Sequence, residues 1–441
     1  MSRPIHLLLI GDSDSQLLAC EALCRFPQDQ EIKITINAIP KEGTPDNILT
    51  RAAALGRLWQ FKIGQVFSHP ELKNFDAIGV FLTGSKIAEF RNALNLLPYQ
   101  KRPLLFCGFN GVVLEKFNEG LSWRLGYDLL CLNGPRDQEA LDRLIRKTPY
   151  ENQPIALTGL KRNDVATITP QAERPKEMVF TEQVVMPKSN SDRARMVRIL
   201  AQLAQRSPNW NILIKPRIAP NETTFHAFTD HIRYTIDQTL GHAPTNLRID
   251  YSPLPELLQR ARIMATVSST AFFDALDFGC RPVVMADFGI NQSNGSHVFA
   301  GCGVWCRLED IEDLDQLDQN LEAPSQTWLD WMGYSEACRP ANLISTLEAC
   351  LERRQDTPAS EHQKPIPAGY LINSSLSFTQ LRRNAEAAID ERNYEEAKSL
   401  LRLATLLRPT HRNVARRLRA VQCNNRPLRK LLLTVTYRDV G

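Results

Sequence analysis

Short apolar runs recur along the chain, each closed by Gly, Asp, Asn or Pro and followed by sequence of helical period. In the first part they are Ile5–Gly11, Ile32–Ile39, Asp76–Gly84, Pro103–Gly111 and Gln153–Gly159. Runs this short and this apolar suit strands buried on both faces. The helical sequence between them supplies the covering layers, so the alternation predicts a parallel, doubly wound sheet. After Pro170 the rhythm restarts at Glu177–Gln183. It passes through an amphipathic helix marked at its start by Ser189, Asn190 and Ser191, and goes on in Asn209–Arg217, "NLRIDY", "ARIMATVSST" and "RPVVMADFG". The fold class expected is α/β, with two doubly wound Rossmann-like domains over residues 1–172 and 173–355.

The polar, proline-bearing segment 356–370 suits a linker. Residues 371–441 read as a small all-α unit. Within it "NAEAAIDERNYEEAKSLLRLATLLRPTH" resembles one tetratricopeptide repeat, carried by Asn393–Ala397, Ala404 and Pro409. One such unit cannot bury its own apolar face, so it is expected to dock on the body or on a protein partner.

Charge and cysteine usage narrow the function classes. Lys and Arg total 53 against 49 Asp and Glu, a formal +4 over 441 residues, which argues against a general nucleic-acid binder. The cations cluster only near the end: ten lie between Arg402 and Arg438, namely Arg402, Arg408, Arg412, Arg416, Arg417, Arg419, Arg426, Arg429, Lys430 and Arg438, with no acid before Asp439. That tail reads either as a solvated helix face or as a contact for an anionic membrane surface or acidic partner. The ten cysteines show no C-x-x-C spacing; the nearest pairs, Cys20 with Cys24 and Cys302 with Cys306, sit in apolar settings and read as reduced core thiols. "MSRPIHLLLIGDSDS" turns acidic at once and reads as a first strand rather than a signal peptide. No stretch approaches the ~18–20 apolar residues of a membrane span, so a soluble, cytoplasmic protein is expected, with peripheral contact at the inner membrane face as an addition.

The densest chemistry lies in "TVSSTAFFDALDFGCRPVVMADFG", Thr266 to Gly289. Ser268, Ser269 and Thr270 stand between an apolar strand and a helix opening near Ala271. There, hydroxyls and unpaired backbone N–H groups can clasp a phosphate. The alternative is helix capping, which explains one hydroxyl more readily than three. "DFG" at Asp287 lacks every companion segment of a kinase. The loop Asp287–Trp305, with four glycines and two asparagines, reads either as a cover over a sugar or base or as a simple connecting loop. No G-x-G-x-x-G follows any strand, so no dinucleotide cofactor is expected.

Strand, S-S-T, helix, Gly-x-Pro, strand resembles the donor half of two-Rossmann (GT-B) glycosyltransferases, above all those using CMP-activated acidic sugars, such as bacterial sialyltransferases and capsule Kdo transferases. The stretch "FTEQVVMP … LIKPR … ETTFH … TVSSTAFFDALDFGCRPVVMADFGI" is also similar to a bacterial group of uncharacterised glycosyltransferases. The CMP-sugar enzymes carry a Lys-Pro-His-Pro or His-Pro element some fifty residues before the serines; here Lys215, Pro216 and Arg217 hold that place. Arg217 stands where those enzymes have His. The resemblance therefore implies that either Arg217 takes the phosphate or His226, in the loop that also holds Glu222 and Thr224, replaces the imidazole. It further implies an acceptor base from the first domain. The turn "LIGDSDSQLL" supplies Asp14 or, failing that, Asp12; the alternative has Asp12 capping the next helix, with Asp14 solvated. "LTGSK" (Leu82–Lys86) and "CGFNG" (Cys107–Gly111) are further strand-end turns with no assigned chemistry.

The function expected is transfer of a sugar from a nucleotide donor, CMP-linked in preference to UDP- or GDP-linked, to a glycan or glycolipid in polysaccharide biosynthesis, with no metal and no cofactor. A nucleotide-sugar epimerase on the same scaffold and a non-catalytic scaffold recruiting partners through the repeat-like unit are the rivals.

Overall fold

The computed structural model describes residues 4–24, 31–39, 46–95, 102–114, 117–146, 148, 150–163, 165–183, 186–217, 231–355, 377–408 and 411–437. The first sheet has seven parallel strands: β1 (Ile5–Gly11), β2 (Ile32–Ala38), β3 (Arg57–Trp59), β4 (Ala77–Val80), β5 (Leu104–Cys107), β6 (Leu129–Leu132) and β7 (Ile155–Leu157). Their spatial order is β3-β2-β1-β4-β5-β6-β7. The second has six: β8 (Glu177–Thr181), β9 (Asn211–Lys215), β10 (Leu247–Ile249), β11 (Ile263–Thr266), β12 (Arg281–Met285) and β13 (Trp305–Cys306), in the order β10-β9-β8-β11-β12-β13. The doubly wound α/β expectation holds for both. Alternate residues of β1 enter opposite cores, Leu8 and Ile10 on one face, Leu7 and Leu9 on the other. That double burial is why these strands read as continuous apolar runs.

The apolar runs overshoot the strands. Those read at Asp76–Gly84 and Pro103–Gly111 pair over only four residues each. Their trailing residues leave the ladder at the carboxyl edge as turns, and the second of these meets the second domain at Gly111. Strands β3, β6 and β13, two to four residues long, are not among the runs read from sequence.

The chain crosses between domains twice. Leu160 already belongs to the second core. The helix Ala341–Gln355 returns and buries Leu343, Ile344 and Leu347 against the first sheet. Residues 341–355, grouped with the second domain by sequence order, therefore close the first. The crossings touch at Gly159, where an added Cβ would stand 2.0 Å from the Cys338 carbonyl oxygen at φ +78°, so only glycine fits.

Four helices, Phe378–Asp390, Tyr394–Leu407, Arg412–Gln422 and Arg426–Tyr437, bury a core of their own that includes Leu381, Ala385, Leu401 and Val414. A helical hairpin thus gains two further helices in place of a lone pair. The unit also meets the body, where Arg408 Nε lies 3.3 Å from Glu119 Oε2 on the helix Phe117–Arg124. The linker 356–370 and Pro409 lie outside the described residues.

Candidate functional site

In each sheet the strand order reverses once, between β1 and β4 and between β8 and β11. At such a point the flanking connections leave for opposite faces and open a crevice at the carboxyl ends. Each crevice is spanned here by one polar pair.

At β8 and β11 the pair is Gln183 and Ser268. Ser268 is fully buried; its backbone N–H donates to Gln183 Oε1 at 3.1 Å, and Gln183 Nε2 donates to its hydroxyl at 3.3 Å. The neighbouring hydroxyls build the turn. Thr266 Oγ1 accepts from the Ser269 N–H at 3.0 Å, and Ser269 Oγ accepts from the Ala271 N–H at 3.2 Å. Thr270, the cap residue of the helix Ala271–Asp277, caps nothing with its side chain and is half-buried. Local capping thus accounts for Ser269 and Thr266, whereas Ser268 and Thr270 are not used that way. The helix has seven residues, so the donors at its start act locally rather than through a long dipole.

Behind Gln183 lies a buried ion pair missed by the sequence reading. Arg193, on the helix Asn190–Arg206, reaches Glu182 Oε1 at 2.7 Å, with both side chains at most 4% exposed. Its Nη1 donates to the Gln183 carbonyl at 3.1 Å. The only sequence signal was an acid ending an apolar run in "FTEQ". The helix itself begins as its sequence predicts, Ser189 Oγ accepting from the Asp192 N–H at 3.0 Å.

The loop Asp287–Trp305 folds over Ser268. Asp287 ties the strand end down: its carboxylate accepts from the Leu308 and Glu309 N–H groups at 3.0 and 2.9 Å. Asn291 organises the tip, its Oδ1 accepting from Ser293 Oγ at 2.6 Å and the Asn294 N–H at 2.9 Å. Gly295, at φ +69°, brings the backbone so close that a Cβ would lie 3.5 Å from Ser268 Oγ and 3.0 Å from Leu114 Cδ1 of the first domain.

At β1 and β4 the pair is charged. Asp12 is buried, and Lys86 Nζ donates to its Oδ2 at 2.6 Å; the Asp12 N–H donates to Gln16 Oε1 at 2.6 Å. Lys86 comes from "LTGSK", which thereby gains a role. Asp14 is the first residue of the helix Asp14–Leu23; its side chain lies outside the described residues.

The domains meet at Gly111 of "CGFNG", where a Cβ would stand 3.3 Å from Arg162 Nη2 and 4.0 Å from Thr270 Cγ2. Arg162 and Asn163, on the first crossing, donate their backbone N–H groups to Asp277 Oδ2 at 3.0 and 2.8 Å, and Tyr334, on the second, donates to Oδ1 at 2.9 Å. Burial pushes the Asp277 carboxyl above its usual range, opposed by these donors. The helix that starts at the S-S-T turn is thus anchored at its other end by both crossings.

Lys215 ends β9 half-buried and Arg217 stands exposed two residues on, beside the Gln183 crevice because β9 neighbours β8. Glu222, Thr224 and His226 lie outside the described residues.

Two parallel Rossmann-like sheets, joined by two crossings with polar crevices at their strand ends, define the GT-B class of glycosyltransferase folds. A family model described as "Putative glycosyltransferase (DUF6716)" matches residues 7–349, and the chain belongs to that family. No curated protein matches it in sequence. Among solved structures it is similar to a "putative UDP-N-acetylglucosamine 2-epimerase" from Listeria monocytogenes (12% identity, 81% of this chain and 99% of that one, TM-score 0.51). It is also similar to S. aureus MnaA in a co-structure with UDP (9% identity, 80% and 96%, TM-score 0.50). Acinetobacter baumannii MurG superposes at 14% identity over 80% of this chain and 100% of that one, TM-score 0.44. The first two likenesses show the fold.

Proposed function

We propose that this glycosyltransferase moves an acidic sugar from a CMP donor to a glycan or glycolipid acceptor of polysaccharide biosynthesis, without a metal ion. The observation that carries the reading is the second crevice, where neutral donors and two cations, Lys215 and Arg217, gather at adjacent strand ends. A phosphate seated there meets the Thr270 hydroxyl, the Ser268–Gln183 pair beneath it and the two cations, which stabilise the charge that grows on the leaving phosphate. Either Arg217 or His226 takes the place of the histidine in similar enzymes, with Glu222, Thr224 and Ser269 completing the donor set. On the other side a carboxylate takes the acceptor proton. Asp12 has one oxygen engaged by Lys86, which leaves Asp14 first in line. As the acceptor oxygen bonds the anomeric carbon, its proton passes to the carboxylate. The bond from that carbon to the phosphate oxygen breaks, with the electron pair leaving on the nucleotide. Peripheral contact with the inner membrane face and partner docking by the helical unit belong to the same reading.

The MnaA co-structure with UDP keeps uridine nucleotides in view, and the similar structure from Listeria monocytogenes, titled an epimerase, keeps epimerisation in view. Incubation with CMP-, UDP- and GDP-sugars, with and without acceptor glycans, separates the readings. Slow nucleotide release, quickened by an acceptor, supports transfer. A changed sugar still joined to its nucleotide means an epimerase, and an untouched panel means a scaffold.

A further inference from the structure

Four of the large apolar side chains exposed among the described residues fall in one helix, Arg426–Tyr437: Leu428, Leu431, Leu432 and Val435 are 46%, 61%, 37% and 57% exposed. Their spacing of i, i+3, i+4 and i+7 puts them on one face. The helix is already held from another side, by buried Leu433 and by Arg429, whose guanidinium lies over the Tyr394 ring at 4.4 Å. The stripe is therefore left over after the unit has folded. The preceding helix, Arg412–Gln422, does the same with charge. Arg412, Arg416 and Arg419 are exposed at i, i+4 and i+7, while Val414, Arg417 and Ala420 point inward, with Arg417 paired to Glu386. Between Glu396 and Asp439 the sequence has no acid.

We propose that the outer faces of these two helices dock on an anionic phospholipid surface, the leucine stripe entering the acyl boundary and the arginines meeting the phosphates. The proposal rests on the transfer reading only for what waits there, a glycolipid acceptor. A second copy of the chain fits poorly, since two such faces would bring like charges together with no acid to offset them. A 12-residue helix is about 18 Å long, too short to cross a core of about 30 Å, so it lies in the interface plane. Among the described residues no helix is long and apolar enough to cross a membrane. The surface also differs from the ten-cation tail read from sequence, because Arg408, Arg417 and Arg429 are engaged within the protein and the apolar stripe joins the exposed Arg412 and Arg419.

The test is flotation of the full chain with phosphatidylcholine vesicles, with and without phosphatidylserine. The wild type is expected to float only with the anionic vesicles, and less in high salt. Leu431→Gln with Val435→Gln should lower partitioning by about tenfold or more, and each of Arg412→Gln and Arg419→Gln by about fivefold. Unchanged melting will show that these exposed substitutions leave the fold alone. Equal flotation of wild type and the apolar double variant overturns the proposal, as does no flotation with anionic vesicles in low salt. So does a wild-type dimer that the double variant breaks, which would assign the stripe to a second copy. Nucleotide binding, measured on the same samples, tests the transfer reading separately.

Discussion

The two crevices occupy the same topological position and are built oppositely. In the first domain the charge stands at the crevice itself: Asp12 meets Lys86, whose side chain is 51% exposed. In the second domain the pair at the crevice is neutral, Gln183 against Ser268, and the ion pair Glu182–Arg193 is buried behind it. A carboxylate at the first crevice suits a neutral acceptor hydroxyl that must lose a proton. A neutral pair at the second crevice, with Lys215 and Arg217 at the adjacent strand end, suits an anionic donor, since the cations attract its phosphate. The buried pair stiffens Gln183 without exposing its negative charge to the ligand.

Removing one partner of each pair should separate these roles most strongly in stability. Arg193→Leu strands Glu182 in a dry environment and is expected to cost about 3–5 kcal/mol, read as a lower urea midpoint. An Arg193→Leu protein as stable as wild type would place the second crevice on the same footing as the first.

The next effect is kinetic. Asp14→Asn is expected to slow transfer by about 10²- to 10⁴-fold, with nucleotide affinity unchanged. Asp12→Asn, assayed alongside, shows which carboxylate takes the proton. Full transfer in both variants would remove the first crevice from the chemistry and turn attention to His226.

In the second crevice, the proposed donor site, Ser268→Ala combined with Ser269→Ala should weaken nucleotide binding by about 1–3 kcal/mol, through lost hydrogen bonds to a charged group and an unpaired Gln183. Calorimetry giving wild-type affinity for both CMP and UDP would move the phosphate elsewhere. The smallest change is expected at Lys86→Met, less than about 1 kcal/mol of stability, because water already screens its exposed ammonium. A larger loss in the same urea titration would mean that the two pairs are more alike than their burial suggests.

The strand runs, the restart after Pro170 and the serine-rich turn after β11 were legible because each is a local pattern of a few residues. Asp287 was legible as a strand-end acid but not as a brace, since its partners Leu308 and Glu309 lie about twenty residues on. Gln183, Glu182 and Arg193 carried almost no signal: a buried ion pair looks like surface charge until its surroundings are known.

What the sequence determined by itself was the alternation of strand and helix, hence two doubly wound domains and hydroxyls at a strand end, because burial on both faces forces apolar runs that any reader can see. What only the tertiary structure decided was which strand ends become neighbours. Ser268 meets Gln183 across 85 residues and Asp12 meets Lys86 across 74. The helix at 341–355 likewise returns to a domain the chain had left. Strand order, handed crossings and the closure of the second crossing on the first are properties of the whole packed chain, and no local period encodes them.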